Sequence, residues 1–339
     1  MCKFEFCIGF MAEGGGLLFC GAPFDMVSQS ACRSERSQDG ALERRNTMAS
    51  KIGIEKKRRL KGWLFILPGA GIILLVRFYP MVKAFLLSLT SGIGGDQSLV
   101  GLQNYIRLTK DSLFHTSMFN TVIYLIQIPV MLILALILAS ILNRPNLKWK
   151  GLYRTMVFLP CITAGVSYSM VFRSMFAANG LVNQILIKLG LIEAGIQWLA
   201  EPWLARMVIL LAMTWRWTGY NAVFYLSGLQ SIDRSLYEAA EIDGAGKLKQ
   251  LTKITIPVLK PVILLTVINS INGTLQLFTE TKTITSYGPG NATITLSNYI
   301  YKLSFEYLPQ YGYSAAISYI VFLMVAVLAL IQMKVGDKR

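Results

Sequence analysis

The sequence predicts an all-α polytopic membrane protein with six transmembrane helices, and three observations carry that reading. Of 339 residues, 54% are hydrophobic and 15% charged, with a mean hydropathy of +0.50; soluble chains carry about 25% charged residues. Six stretches reach the roughly 20 apolar residues a helix needs to cross a bilayer. The basic residues, although they give a net charge of +15, gather in short runs between those stretches, which is the pattern of membrane topology. This composition cannot build the charged shell of a soluble core, and it holds too much Leu, Ile, Val and Phe for a disordered chain or a secreted disulfide scaffold.

Residues 1–47 differ from the rest. They hold Gly14-Gly15-Gly16 and four of the five cysteines (Cys2, Cys7, Cys20 and Cys32). Their apolar piece is interrupted by Glu13 and the glycines, so it is neither a signal peptide nor a span. We expect Met48 to be the native start, with 1–47 a start-site artefact or a disordered extension. Residues 48–61 form a basic stretch leading into a membrane domain over 62–333, followed by a short tail, 334–339.

The six predicted spans are 62–86, 117–142, 152–176, 205–226, 257–278 and 313–333. Pro68, Pro80, Pro129 and Pro160 fall within or at the ends of spans, where a lost backbone hydrogen bond favours kinks. The segment 180–199 is interrupted by Asn183, Gln184, Lys188, Glu193 and Gln197 and reads as an amphipathic helical loop at the membrane surface. Eighteen basic residues, from Lys51–Lys61, Arg144–Arg154, Arg234–Lys260 and Lys334–Arg339, fall on one side. Five (Arg107, Lys110, Lys188, Lys282 and Lys302) fall on the other. The positive-inside rule therefore puts both termini in the cytoplasm. The run Lys56-Lys57-Arg58-Arg59 is explained as a solvated anchor beside a span, and no nucleic-acid partner is expected. With one histidine, His115, and no CxxC pair, neither a metal site nor a catalytic cluster of His, acid or thiol is expected.

None of the acidic residues falls inside a predicted span; Glu280 lies just past the fifth. Transporters driven by protons or sodium generally keep an intramembrane carboxylate, so a self-powered transporter is disfavoured. No GxxxxGK[ST] occurs, so the chain has no P-loop for nucleotide. Uphill transport would draw its energy from a partner.

Between the fourth and fifth spans the chain reads Leu236-Tyr237-Glu238-Ala239-Ala240-Glu241-Ile242-Asp243-Gly244-Ala245, continuing to Ile254-Thr255-Ile256-Pro257. This predicts a short helix, a glycine stop and a second short helix entering a span. Ser235 and Glu238 have capping-box spacing, with Ser231 an equally good start, and Gly244 suits a left-handed C-terminal cap. The loop is either an ordinary connector or a small knob that fits a partner's cleft.

The spacing Glu238-Ala239-Ala240, Gly244, Ile254, Pro257, with Ile256 in place of a leucine, resembles the EAA motif of ABC importer permeases. Val100-Gly101-Leu102-Gln103-Asn104-Tyr105, Asn120-Thr121, Trp217-Thr218-Gly219-Tyr220-Asn221 and Gly228-Leu229-Gln230 are similar to the carbohydrate-uptake subfamily, the maltose and glycerol-phosphate type. The resemblance covers roughly 49–339. It implies the ABC importer permease fold, with Glu238, Ala239, Ala240, Asp243, Gly244, Ile254 and Pro257 forming a coupling helix docked on a cytoplasmic ATPase. Glu238 would make the ionic contact and Gly244 the turn. It further implies a second permease subunit (a different chain), an ATPase dimer that binds the ATP, and an extracytoplasmic solute-binding protein seated on the loops 89–116, 177–204 and 280–311. This chain would itself need no cofactor and catalyse no reaction.

A candidate solute pathway lies in the fifth and fourth spans. Asn269, Asn272 and Gln276 sit at i, i+3 and i+7 on one helical face, and Gly273 removes bulk beside them. Interhelical hydrogen bonding is the alternative for any one amide, whereas three in a stripe fit a polar cavity for sugar hydroxyls. In the fourth span Tyr220, Asn221 and Phe224, with Trp217, offer aromatic faces and an amide as a second wall; for Trp215 and Trp217 interfacial anchoring is an equal reading. The expectation is thus a bacterial-type importer subunit in the cytoplasmic membrane for a sugar, oligosaccharide or polyol. A permease for a non-sugar solute and a self-sufficient secondary transporter are the alternatives.

Overall fold

The computed structural model describes residue 58 and residues 61–92, 98–144 and 147–337. The expected extension 1–47, the start at Met48, nearly all of the basic stretch 48–61 and the last two residues of the tail lie outside the described residues. The chain divides into two units, Met1–Arg77 and Phe78–Arg339. In the first, the described residues 61–77 are helical, and Trp63, Phe65 and Leu75 are exposed, as apolar side chains facing lipid would be.

The second unit is built almost wholly of helices: α1 Tyr79–Ser88, α2 Gln103–Leu108, α3 Ser112–Ile123, α4 Gln127–Leu142, α5 Lys150–Ile162, α6 Gly165–Met175 and α7 Leu181–Lys188. They are followed by α8 Pro202–Gln230, α9 Arg234–Ile242, α10 Lys247–Gln250, α11 Ile256–Leu275, α12 Thr279–Ile284, α13 Leu296–Tyr301 and α14 Tyr311–Asp337. Among the described residues the only strands are β1 Thr90–Ser91 and β2 Ser98–Leu99, an antiparallel pair with Thr90 opposite Leu99.

Among the described residues, four helical runs are long and apolar enough to cross a membrane: Lys61–Ser88, Ser112–Leu142, Lys247–Leu275 and Tyr311–Lys334. The second joins α3 to α4 through a 3-10 turn, Tyr124–Ile126, with Pro129 in the first turn of α4. There a missing N–H is absorbed at little cost. The third joins α10 to α11 through a π-helical turn, Leu251–Thr255.

The predicted third span, 152–176, is two helices rather than one. α5 and α6 meet at an angle of 97°. Thr163 and Ala164 between them are extended, with ψ 132° and 138°, and Pro160 sits one turn before the break. The Thr163 hydroxyl donates back to the Leu159 carbonyl at 3.1 Å, satisfying one group the break frees. Apolar composition runs unbroken through both halves, so hydropathy does not register the bend.

The predicted fourth span is α8, 29 residues long and thus about 43 Å. Pro202 opens it at a position suited to proline. It carries Arg206 and Arg216 and is among the most buried helices. Ala222, Tyr225, Leu226 and Leu229 pack against Ala135, Ala139 and Leu142 of α4. A Cβ at Gly219 would lie 1.9 Å from the Val157 carbonyl oxygen of α5, so only glycine admits this helix contact. Small residues at crossings are how membrane helices approach closely.

Candidate functional site

The site begins with the aromatic ladder of α8. Trp217, Tyr220 and Phe224 recur at i, i+3 and i+7, the spacing that stacks side chains on one helix face. The Trp217 and Tyr220 rings meet edge-on at 5.8 Å, and Tyr220 and Phe224 at 4.9 Å. Trp217 and Tyr220 face a half-open cavity of about 410 Å³, within the range of small-molecule sites, roughly 300–1,000 Å³.

α11 forms the facing wall. Asn269, Ser270, Gly273 and Thr274 line the cavity, as do Gln276, Leu277, Phe278 and Thr279 beyond the helix end. A Cβ at Gly273 would meet nothing within 4 Å, so this glycine holds space open rather than permitting a packing contact. The helix stops at Leu275, and Gln276 closes it: its Nε2 donates to Asn272 Oδ1 at 2.7 Å and its backbone N–H to the Asn272 carbonyl.

The structure therefore brings together Tyr220, Asn269, Gly273 and Gln276 of the predicted pathway residues. Asn272 is not in the lining and instead orients Gln276. Asn221 is buried, donating to the Trp217 carbonyl at 2.9 Å and to Met131 Sδ at 3.4 Å. Phe224 packs with the α4–α8 core.

Two lining groups were not foreseen in roles here. Arg216, given no role from sequence, is paired with Glu280: Nη1 lies 3.7 Å from Oε1, and Glu280 is buried. The Tyr168 hydroxyl of α6 donates to the same Glu280 oxygen. The Arg216 guanidinium lies over the Tyr168 ring at 4.6 Å and over Trp217 at 5.3 Å. Glu280 thus belongs to the cavity wall, not to a surface loop past the span. Its partner is 64 positions away, and no local pattern signals the pairing. The second is Gln127 of α4, which is buried, lines the cavity and donates to Thr274 Oγ1 at 3.4 Å.

The predicted coupling residues form a separate, exposed feature. α9 starts at Arg234 and is capped by Asp233, whose side chain accepts from the Ser235 N–H at 3.0 Å; Ser235 and Ser231, the expected caps, do not serve. That bond, with the Ser235 side chain, holds the Asp233 carboxyl below the usual carboxylate range. At the other end the Ala245 N–H bonds the Ala240 carbonyl and the Gly244 N–H bonds the Glu241 carbonyl. Gly244 sits at φ +73°, which makes this a Schellman cap. No residue of α9 is buried; Glu238, Ala239, Asp243 and Gly244 are exposed and Ala240 is half-buried. Ile254 is half-buried in the π turn and Pro257 exposed in the first turn of α11.

Residues 113–337 match the family model described as the binding-protein-dependent transport system inner membrane component. The chain is 46% identical over 293 residues to the lactose transport system permease protein LacF of Rhizobium radiobacter, covering 86% of this chain and 98% of that protein. It is 34% identical to the trehalose/maltose transport system permease protein MalF of Thermococcus litoralis, covering 87% and 99%. A chain of a bacterial ABC transporter involved in the import of the acidic polysaccharide alginate shares the fold. Its TM-score is 0.73 at 22% identity, over 85% of this chain and 99% of that one.

Proposed function

The chain belongs to the family of binding-protein-dependent transport system inner membrane components, and from that premise we propose that it is the permease subunit of an ATP-driven importer for a sugar or oligosaccharide. The observation that carries the solute class is the cavity wall. Amides of Gln127, Asn269 and Gln276 and hydroxyls of Ser270, Thr274 and Thr279 stand beside the Trp217 and Tyr220 rings. Amides and hydroxyls match sugar hydroxyls, and ring faces match sugar C–H faces. The names of the similar proteins, lactose and trehalose/maltose permeases, support the same class.

The chain does no covalent chemistry in this reading. α9 docks on a cytoplasmic ATPase dimer that binds and hydrolyses ATP, with Glu238 making the ionic contact. Its movement rocks this chain against a second permease subunit, a different chain, and so opens the cavity alternately to each side. A solute-binding protein delivers the sugar from outside, on loops 89–116, 177–204 and 280–311, and both termini lie in the cytoplasm. The exposed Ile242 and Leu248 flanking the Gly244 turn support a docked role for the loop, since apolar side chains in a water-facing connector call for cover.

Tagged purification from the native host in mild detergent tests this reading. A co-purifying ATPase, lost on Glu238→Lys, supports it; an intact, folded chain with no ATPase overturns it. Glu280, a buried carboxylate in the cavity wall, is the observation that favours a self-powered transporter. Its fixed pairing with Arg216 and Tyr168 argues against a group that must gain and lose a proton or sodium each cycle, and uptake persisting without ATP would revive that alternative.

A further inference from the structure

Gln127 is 3% exposed and lines the cavity, yet its Oε1 accepts no hydrogen bond among the described residues. Its Nε2 donates only to Thr274 Oγ1, at 3.4 Å. Buried side-chain amides almost always satisfy both ends. Asn221 Oδ1 and Gln332 Nε2 are also buried without a partner, but of the three amides only Gln127 lines the cavity. Gln127 opens α4 just after the 3-10 turn Tyr124–Ile126 and lines the cavity together with Met213, Trp217 and Tyr220. Turning the amide over does not remove the demand: the oxygen would then take the Thr274 hydroxyl and the NH₂ would be left for the cavity. A hydroxyl, donor and acceptor at once, serves either orientation.

A second unpaired group lies on the same lining. Arg216 Nε–H is buried without an acceptor, although the guanidinium tip is held by Glu280. An unpaired acceptor and an unpaired donor in one cavity wall are what a polyhydroxylated solute fills and an apolar one cannot.

We infer that Gln127 is a specificity-determining residue of the cavity, its covered amide turning to read one solute hydroxyl. This rests on the carbohydrate reading above. Discrimination follows because a solute lacking that hydroxyl leaves the amide buried and unpaired, and a site built to hydrogen-bond a hydroxyl rejects the analogue without it.

The test uses the whole transporter in proteoliposomes, with its binding protein, and radiolabelled lactose, trehalose and arabino-oligosaccharides. Whichever of these the wild type takes up is compared with its monodeoxy derivatives. For at least one derivative we expect kcat/KM in the wild type to be roughly tenfold below the parent sugar, the size of one lost buried hydrogen bond. In Gln127→Met, similar in length but without the amide, the penalty for that derivative should fall about tenfold, because the parent sugar loses what the derivative already lacked. The binding protein is identical in both preparations, so its own preference cancels in this ratio. Gln127→Asn, which withdraws the amide by one methylene, is a second variant should the methionine form fail to assemble. Parent and derivatives slowed alike in both variants would mark a merely structural role and overturn the inference. Wild-type vesicles that take up none of the three sugars would overturn the carbohydrate reading and this inference with it.

Discussion

The connector 231–255 and the segment 279–313 lead away from opposite ends of α11, and they are finished in opposite ways. The first is held by local contacts. Asp233 caps α9 and the Gly244 turn closes it; the Tyr237 hydroxyl lies 2.9 Å from Thr255 Oγ1. No residue of α9 is buried, while Ile242 and Leu248 are exposed. The second is stitched to distant parts of the chain. Asn298 accepts from the Thr281 and Thr295 hydroxyls and donates to the Phe278 carbonyl. Asn120 of α3 donates to the Ile294 carbonyl at 2.8 Å while accepting from Arg206 Nε at 2.9 Å, and the Thr121 hydroxyl receives the Leu296 N–H. Tyr299 and Tyr313 both donate to Asp111, each at 2.5 Å. The second segment spends its buried polar groups on distant parts of the chain, whereas α9 leaves its surface exposed.

Glu238→Lys probes the contrast most sharply. It should lower coupled uptake roughly 30-fold or more, the scale for a lost interfacial charge contact, and leave the unfolding temperature of the purified chain unchanged. A comparable loss of thermal stability would show that α9 is held by the chain itself. Asn298→Ala is the opposite experiment: it removes the amide that ties the Thr281 and Thr295 hydroxyls and the Thr295 N–H to the Phe278 carbonyl and should cost about 2–4 kcal/mol in denaturant or thermal unfolding.

The two aspartate caps then compare like with like. Asp111 caps α3, accepting from the Leu113 and Phe114 N–H groups as well as the two tyrosines. Partial burial works to raise its pKa, but the four hydrogen bonds prevail and hold the carboxyl below its ordinary value. Its folded-state pKa being depressed, its contribution is present above the ordinary carboxylate value and lost as pH falls through the lower folded value. Asp111→Asn should therefore cost about 1–2 kcal/mol near neutrality, discounted for its solvent exposure, and the gap from wild type should close as the pH drops below about 4. A gap that stays constant down to pH 3 would contradict the charged role. Asp233→Ala, removing the cap in the 231–255 connector, should leave global unfolding unresolved from wild type and instead speed hydrogen exchange at the Ser235 amide.

What could be read from residues alone follows the range of the interactions. The span positions come from local composition, and the structure extends them by only a few residues at most ends. The Gly244 stop was equally legible, because a left-handed cap depends on its nearest neighbours. Residue types alone do not choose Asp233 over Ser231 and Ser235, since all three are good caps and only the backbone path selects between them. Pro160 marks a kink near the break after Ile162, but not its size, because a turn of 97° changes direction and not hydropathy. The Arg216–Glu280 pair and the orphaned amide of Gln127 depend on contacts between residues 64 and 147 positions apart, and no periodic pattern carries such a signal. The motif pieces Asn104 and Asn120 read as family markers in the sequence. In the structure they are ties: Asn104 donates to the Ser88 and Thr90 carbonyls at 2.8 and 2.7 Å, holding the end of α1 to the following loop.

The bend between α5 and α6 bears on what holds that part of the chain in place. The 13 residues of α5 and the 11 of α6 rise about 20 Å and 16 Å, and neither spans a hydrocarbon layer about 30 Å thick. Neither half crosses alone, and the free backbone at Thr163 and Ala164 is poorly suited to bare lipid. The pair rests on α8, where the lack of a Cβ at Gly219 leaves room for the Val157 carbonyl. Packing against α8, and not length alone, therefore holds the bent pair in the fold, and substitutions at Gly219 should loosen α5 before they loosen the straight spans.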